Sequence, residues 1–280
     1  MFGKSKKTSK YKFSSLKPYS WSKVLGSNKK FRKVYDRWEL NYMSVELAFY
    51  NKQFDEAEWT ANIRIVAFTL ENGKKTTQHC EDKKEVLIET DKNLVIHDYG
   101  CGDEKKGAYW KAGHYIWEAY IDDELVGTTE FYVEDVGAVS EALNPYFEAL
   151  SLRTYEAPSG DIDVDKRFYV KEFDIKETRY IMGELRFSNK LSEEWLCELF
   201  FNIYDDTGQL IGTSDMMMLI TPESGKGETF TISAGWGSSN PGSWLEDHYT
   251  MEVVFMDAVV GIIPFKIGKE FKERLSDFEA

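Results

Sequence analysis

The chain is poor in the residues that break strands and cross-link small folds. Its 280 residues include only 6 Pro and 3 Cys, which leaves little room for Pro-rich linkers or a disulfide framework. An odd set of three cysteines, Cys80, Cys101 and Cys197, suits a reducing compartment. No apolar run reaches the roughly 18 residues that suggest a transmembrane helix. The basic start MFGKSKKTSKYKF lacks the apolar stretch of a secretory signal, and no Asn-x-Ser/Thr sequon occurs. A cytoplasmic protein without a membrane partner is expected. What the chain does have is 42% hydrophobic residues and 15% aromatics, enough for a packed β-rich core.

Charge of one sign is also missing locally. Residues 1–33 carry eleven basic residues and no acidic one, while the whole chain has a formal net charge of −13. A strongly acidic body repels duplex nucleic acid, so no nucleic-acid partner is expected.

The chain is duplicated internally. Trp110, His114-Tyr115, Glu118, Asp123, Val126-Gly127 and Phe131 recur 134 residues later as Trp244, His248-Tyr249, Glu252, Asp257, Val260-Gly261 and Phe265. Upstream, Tyr42, Glu46-Leu47, Phe49 and Asn51-Lys52 recur as Tyr180, Glu184-Leu185, Phe187 and Asn189-Lys190. Trp59 pairs with Trp195, Gly73 with Gly208 and Gly100 with Gly235. The small drifts in spacing fall in turn-like stretches, where length changes are tolerated. The repeats imply a basic tail over 1–10, a first unit over 11–136, a connector over 137–145 and a second unit over 146–280.

Each unit reads as strands. Trp59, Ala61, Ile63, Ile65 and Ala67 alternate with polar neighbours before Glu71-Asn72-Gly73. Trp195, Cys197, Leu199, Phe201 and Ile203 do the same before Asp205-Asp206-Thr207-Gly208. Such period-two patterns closed by Asn-Gly or Asp-x-Gly turns mark half-buried strands. Terminal hairpins follow at Tyr115–Val133 and Tyr249–Ile267. The expected fold is all-β, two tandem Ig-like β-sandwiches, with a β-barrel as the alternative. No inter-sheet Cys pair with a Trp between is expected. Helix is confined to Ser140–Leu143 and to a short C-terminal helix at Lys269–Asp277.

Catalytic motifs are weak. On a strand, His114/Glu118 and His248/Glu252 share a face but lie about 13 Å apart. His79, Cys80, His97 and Cys101 resemble a zinc set, yet adjacent strand residues point to opposite faces. Asp161-x-Asp163-x-Asp165 with Glu172 imitates a calcium loop but has Lys166 where Gly is wanted. Ser224-Gly225-Lys226-Gly227 lacks the spacing of a phosphate loop. Asp122/Asp123 and Asp205/Asp206 sit in turns, where paired carboxylates are usually solvated. No catalytic residue, metal or cofactor is therefore assigned. The loop from Gly235 to Trp244 is a better binding candidate through Trp236, Asn240 and Trp244, because loops on rigid sandwiches carry binding surfaces. Trp244, like Trp110, is expected to plug a core, leaving Trp236 as the freer ring.

Phe49-Tyr50-Asn51-Lys52, Trp59, Trp117-Glu118-Ala119-Tyr120-Ile121-Asp122-Asp123, Val126-Gly127, Asn144-Pro145-Tyr146-Phe147, Cys197 through Asp206 and Glu252 through Asp257 resemble N-terminal regions of some bacterial AAA-type ATPases. The resemblance spans most of residues 11–268. It implies an accessory or substrate-engaging region whose ATPase part follows residue 280 or belongs to another protein, and no ATPase activity is carried over. The expected function is non-enzymatic recognition of a protein partner, with a carbohydrate-binding module using loop aromatics as the alternative. Between the repeats, Lys17 to Lys33 face Glu156, Asp161, Asp163 and Asp165 in matching positions. That inversion suggests self-association through oppositely charged equivalent edges.

Overall fold

The computed structural model describes residues 9–21, 29–223 and 225–268. Two compact units divide the chain, Met1–Asp135 and Val136–Ala280. The first contains β1 (Tyr11–Trp21), β2 (Lys30–Phe31), β3 (Val34–Asp36), β4 (Tyr42–Asn51), β5 (Trp59–Glu71), β6 (Lys74–Ile88), β7 (Leu94–Gly102), β8 (Gly113–Ile121) and β9 (Glu124–Glu134). The second contains β10 (Phe147–Ala157), β11 (Glu172–Asp174), β12 (Tyr180–Asn189), β13 (Trp195–Tyr204), β14 (Leu210–Ile220), β15 (Thr229–Gly237), β16 (Asp247–Phe255) and β17 (Ala258–Gly268).

In the first unit, sheet β2-β1-β4-β7 faces sheet β3-β9-β8-β5-β6 across a shared core of Leu47, Phe49, Ile65, Trp110, Trp117 and Phe131. The second unit repeats the order as β10-β12-β15 and β11-β17-β16-β13-β14. The opening segment of each unit starts antiparallel in one sheet, β1 on β4 and β10 on β12. It then crosses to run parallel to the last strand of the other, β3 on β9 and β11 on β17. The architecture is all-β and Ig-like, twice over.

The alternating residues read as strands do face the core. Ala61, Ile63, Ile65 and Ala67 are buried, as are Cys197, Leu199, Phe201 and Ile203. Equivalent polar anchors hold the indoles. The Trp59 Nε1–H donates to Asn51 Oδ1 at 3.0 Å, and the Trp195 Nε1–H donates to Asn189 Oδ1 at 3.1 Å. Tyr115 and Tyr249 are buried, at 3% and 4% exposure. Their hydroxyls donate back to the carbonyls of Lys111 and Leu245, at 2.9 and 3.1 Å. Each is a tyrosine corner, a device that pins the crossover of such sandwiches.

Three expectations are corrected or fall outside view. Ser140–Leu143 is no helix: the two end residues form an isolated antiparallel bridge, with backbone hydrogen bonds of 2.8 and 3.1 Å, around a tight turn. Lys269–Asp277 lies outside the described residues. The cysteines are not all free: Cys80 on β6 and Cys101 on β7 form a disulfide joining the two sheets of the first unit. No Trp lies between these two cysteines in sequence. The bridge removes the ground on which an odd cysteine count suggested a reducing compartment. Cys197 is free and fully buried, and burial pushes its thiol pKa well up. Among the described residues no helix is long and apolar enough to cross a membrane.

Candidate functional site

Of the two tryptophans expected in the Gly235–Trp244 loop, Trp236 lies instead on β15, paired with Ile181 of β12, and only Trp244 stands in the loop that follows. Trp244 is buried, its Nε1–H donating to the carbonyl of Arg179 at 2.9 Å, and its ring stands edge-on to Tyr249 and Phe265. Trp110 holds the matching place with a 3.0 Å bond to the Cys101 carbonyl. Trp244 is thus a core pillar. Trp236 is 38% exposed and meets Trp244 edge-on, with centroids 5.5 Å apart. Asn240 is exposed at the turn, where its N–H donates to Ser238 Oγ and its carbonyl accepts from Ser243 Oγ, both at 3.1 Å.

What fixes Trp236 is Gly212 on the neighbouring strand β14. A Cβ on Gly212 would lie 2.4–2.7 Å from three atoms of the indole, so only glycine fits beneath the ring. The register explains the arrangement. Gly212 pairs with Ile203 as Cys80 pairs with Ala67, and Trp236 pairs with Ile181 as Cys101 pairs with Met43. The indole over glycine therefore occupies the place of the first unit's disulfide. A rigidly backed, partly exposed Trp is the kind of side chain that dominates protein interfaces.

The same side of the second unit exposes an unusual edge. Among the described residues, β14 and β6 each end their five-stranded sheets. β6 carries Lys74, Lys75, Glu81, Asp82, Lys83, Lys84 and Glu85, whereas β14 carries only Asp215. In place of charge, β14 shows Leu210, Met216, Met217 and Leu219, all more than a third exposed. Charges on an edge strand prevent unwanted pairing, and their absence leaves backbone donors and acceptors open to another strand.

The remaining sequence candidates do not assemble catalytic sets. His114 Nε2 lies 2.8 Å from Glu130 Oε2 and its ring stacks on Tyr132, while Glu118 takes Lys75 Nζ and the Tyr120 hydroxyl, each at 2.7 Å. His79 contacts Thr69, and burial pushes its pKa down. Asp122 Oδ1 accepts from the Asn62 backbone at 3.0 Å, and both Asp122 and Asp123 adopt the positive φ of a tight hairpin turn. Asp205 Oδ1 caps its own turn through the N–H groups of Thr207 and Gln209. Among the described residues, no three His, Cys, Asp or Glu side chains are grouped to hold a metal.

Sequence reasoning missed a duplicated polar cluster on β4 and β12. Glu184, 1% exposed, accepts from Arg153, Arg167 and the Tyr169 hydroxyl. Burial pushes its pKa up, but these donors win and hold the carboxyl below its ordinary value. In the first unit Glu46 accepts from Lys29 Nζ at 2.7 Å, and Lys29 also pairs with Asp98. Cation–ring contacts repeat as well: Lys17 on Phe31 and Lys29 on Tyr19 correspond to Arg153 on Tyr169 and Arg167 on Tyr155. At these positions the charge is kept rather than inverted. The carboxylates thought to face another edge are engaged at home, Asp161 with Arg167 and the Tyr155 hydroxyl, Asp163 with Lys166. The signal lay in the repeat alignment, which matches Lys17 to Arg153 and Tyr19 to Tyr155.

No family model matches the chain, and no curated protein matches it. Among solved structures, it is similar to a cycloisomaltooligosaccharide glucanotransferase of Paenibacillus sp. complexed with cycloisomaltoheptaose. The identity is 14% and the TM-score 0.31, covering 44% of this chain and 14% of that one. It is also similar to red sea bream transglutaminase, at 9% identity and a TM-score of 0.31, covering 94% of this chain and 32% of that one. The chain thus spans well under half the length of either.

Proposed function

We propose that the chain is a non-catalytic recognition module whose second unit takes an extended segment of a protein partner along β14, beside Trp236. The observation that carries this reading is the edge strand with one charge in eleven residues, in a molecule whose equivalent edge has seven in fifteen. Strand addition uses main-chain hydrogen bonds for affinity and neighbouring side-chain contacts for selectivity. The exposed methionines suit it, since thioethers adapt to varied apolar surfaces. With a net charge of −13, the module favours an apolar segment flanked by basic residues. The likeness of its duplicated motifs to N-terminal regions of AAA-type ATPases fits a substrate-engaging role of this kind.

Affinity capture followed by hydrogen exchange tests the reading. A captured partner should slow exchange of β14 amides, and Met217→Lys should abolish capture while changing stability by less than about 0.5 kcal/mol. Protection confined to other strands, or capture unaffected by Met217→Lys, would refute it. The exposed Trp236 ring favours one other reading, a sugar-stacking surface. Glycan binding lost in Trp236→Ala and kept in Met217→Lys would select that alternative.

A further inference from the structure

A second feature of the same unit points to a ligand of definite chemistry. At the turn end of the β13–β14 hairpin lies an open cleft of about 510 Å³, lined by Tyr204, Asp205, Asp206, His248, Glu252 and Pro264 among others. Among the described residues, no Lys or Arg lines it. Among the described residues, the Glu252 carboxylate has no ion-pair partner.

The first unit shows what these positions hold when they are filled. Tyr204 lies across from Thr250 as Phe68 lies across from Ile116, and Asn202 lies across from Glu252 as Val66 does from Glu118. Tyr204 and Glu252 are therefore the counterparts of Phe68 and Glu118. On Phe68 and Glu118 sits a cation: Lys75 Nζ is 2.7 Å from Glu118 Oε1 and 4.9 Å from the Phe68 ring centroid.

Hairpin length decides why only one unit is filled. In the first unit, pairing continues past Phe68 to Leu70 with Lys75 and Glu71 with Lys74. In the second unit it stops at Tyr204 with Leu210. Among the described residues of this hairpin, none extends to where Lys75 stands. The second donor to Glu118, Tyr120, is also missing, because its counterpart is Val254. The aromatic wall and the carboxylate remain, and Asp205 and Asp206 add negative charge beside them.

We propose that this cleft binds a primary alkylammonium group, from a lysine side chain or a free diamine, in the place that Lys75 fills in the first unit. The ammonium would lie between the face of Tyr204 and the Glu252 carboxylate, with its methylene stem along Pro264. Cation–π attraction and a charge-assisted hydrogen bond supply the affinity. The site is independent of strand addition on β14 and stands or falls by itself.

Titration of the full chain, followed by tyrosine ring NMR resonances with Tyr204 assigned by its loss in Tyr204→Phe, tests this. The probes are Nα-acetyl-lysine-N-methylamide, 1,5-diaminopentane and the uncharged Nα-acetyl-norleucine-N-methylamide, all at fixed ionic strength. Both ammonium probes should shift Tyr204 saturably and the norleucine probe should not. Glu252→Gln should weaken binding by about tenfold, Tyr204→Ser should weaken it likewise, and Tyr204→Phe should keep it as monitored by calorimetry. Unchanged near-ultraviolet circular dichroism would show that each variant is folded. Tighter binding of the lysine amide assigns the site to protein lysines, and tighter binding of the diamine to free polyamines; both support an ammonium site. Equal response to norleucine, unweakened binding in Glu252→Gln, or no saturable shift would overturn it.

Discussion

The two units close the same sandwich at the same place by different means. In the first, Cys80 and Cys101 join the sheets covalently; in the second, Trp236 lies on Gly212 at the matching register. A covalent staple acts mainly by restricting the unfolded chain, whereas an indole on glycine acts by packing in the folded one. The first solution is indifferent to ring exposure. The second leaves an aromatic face at the surface. Their edges differ in the same sense, β6 guarded by charge and β14 not. One unit is sealed and the other is open to contact.

This contrast can be broken most strongly at the disulfide. Reduction, or Cys80→Ser with Cys101→Ser, should cost the first unit about 2–4 kcal/mol. Denaturant unfolding should show one transition moving to lower denaturant while the second unit's stays in place. Coincident movement of both would show that the units do not unfold separately.

A smaller effect is expected at Gly212. Gly212→Ala places a methyl within reach of the indole and should cost the second unit about 1–3 kcal/mol by displacing Trp236, seen as a red shift of tryptophan emission. The converse experiment sharpens the equivalence. Gly212→Cys with Trp236→Cys should form a disulfide under air, detectable by mass spectrometry, if the two positions match those of Cys80 and Cys101.

The pH response should separate the units by a gentler margin. Burial lowers the pKa of His79, and that of His97 despite Asp82 at 3.8 Å. A histidine whose pKa is lower in the folded state holds fewer protons there than when unfolded. Its contribution is present above about 6.5, the ordinary value, and is lost as pH falls through the folded pKa. Glu184, held below its ordinary 4.5, contributes above that value and loses its effect as pH falls further. The first unit should therefore weaken as pH falls below neutrality, and the second only in stronger acid. Melting temperatures that fall together over that range would contradict this assignment.

Much of this was legible in the sequence. Alternation in Trp59–Ala67 and Trp195–Ile203 located strands because each has one face on a core, and burial of that kind writes a period of two. Turn residues such as Asn72-Gly73 marked hairpins for reasons internal to the turn. The Ser140–Leu143 helix was misread because a four-residue stretch without apolar period carries no signal that outweighs one backbone bridge. The disulfide was missed for another reason: Cys80 and Cys101 lie on different sheets, and their approach depends on how those sheets stack. Cys80 also matches Gly212 at an offset of 132, beyond a gap in the repeat, so the alignment did not reveal the pair.

The amino-acid order alone determined the fold class and its duplication, since strand periodicity, turn chemistry and repeated motifs are local properties of the chain. Which residues meet across sheets was decided only by tertiary structure. The disulfide, the seating of Trp236 on Gly212, the Glu184 cluster and the cleft at Tyr204 join positions distant in sequence. Those contacts follow from register and sheet packing, where a few residues of hairpin length settle whether a lysine fills a site or leaves it open.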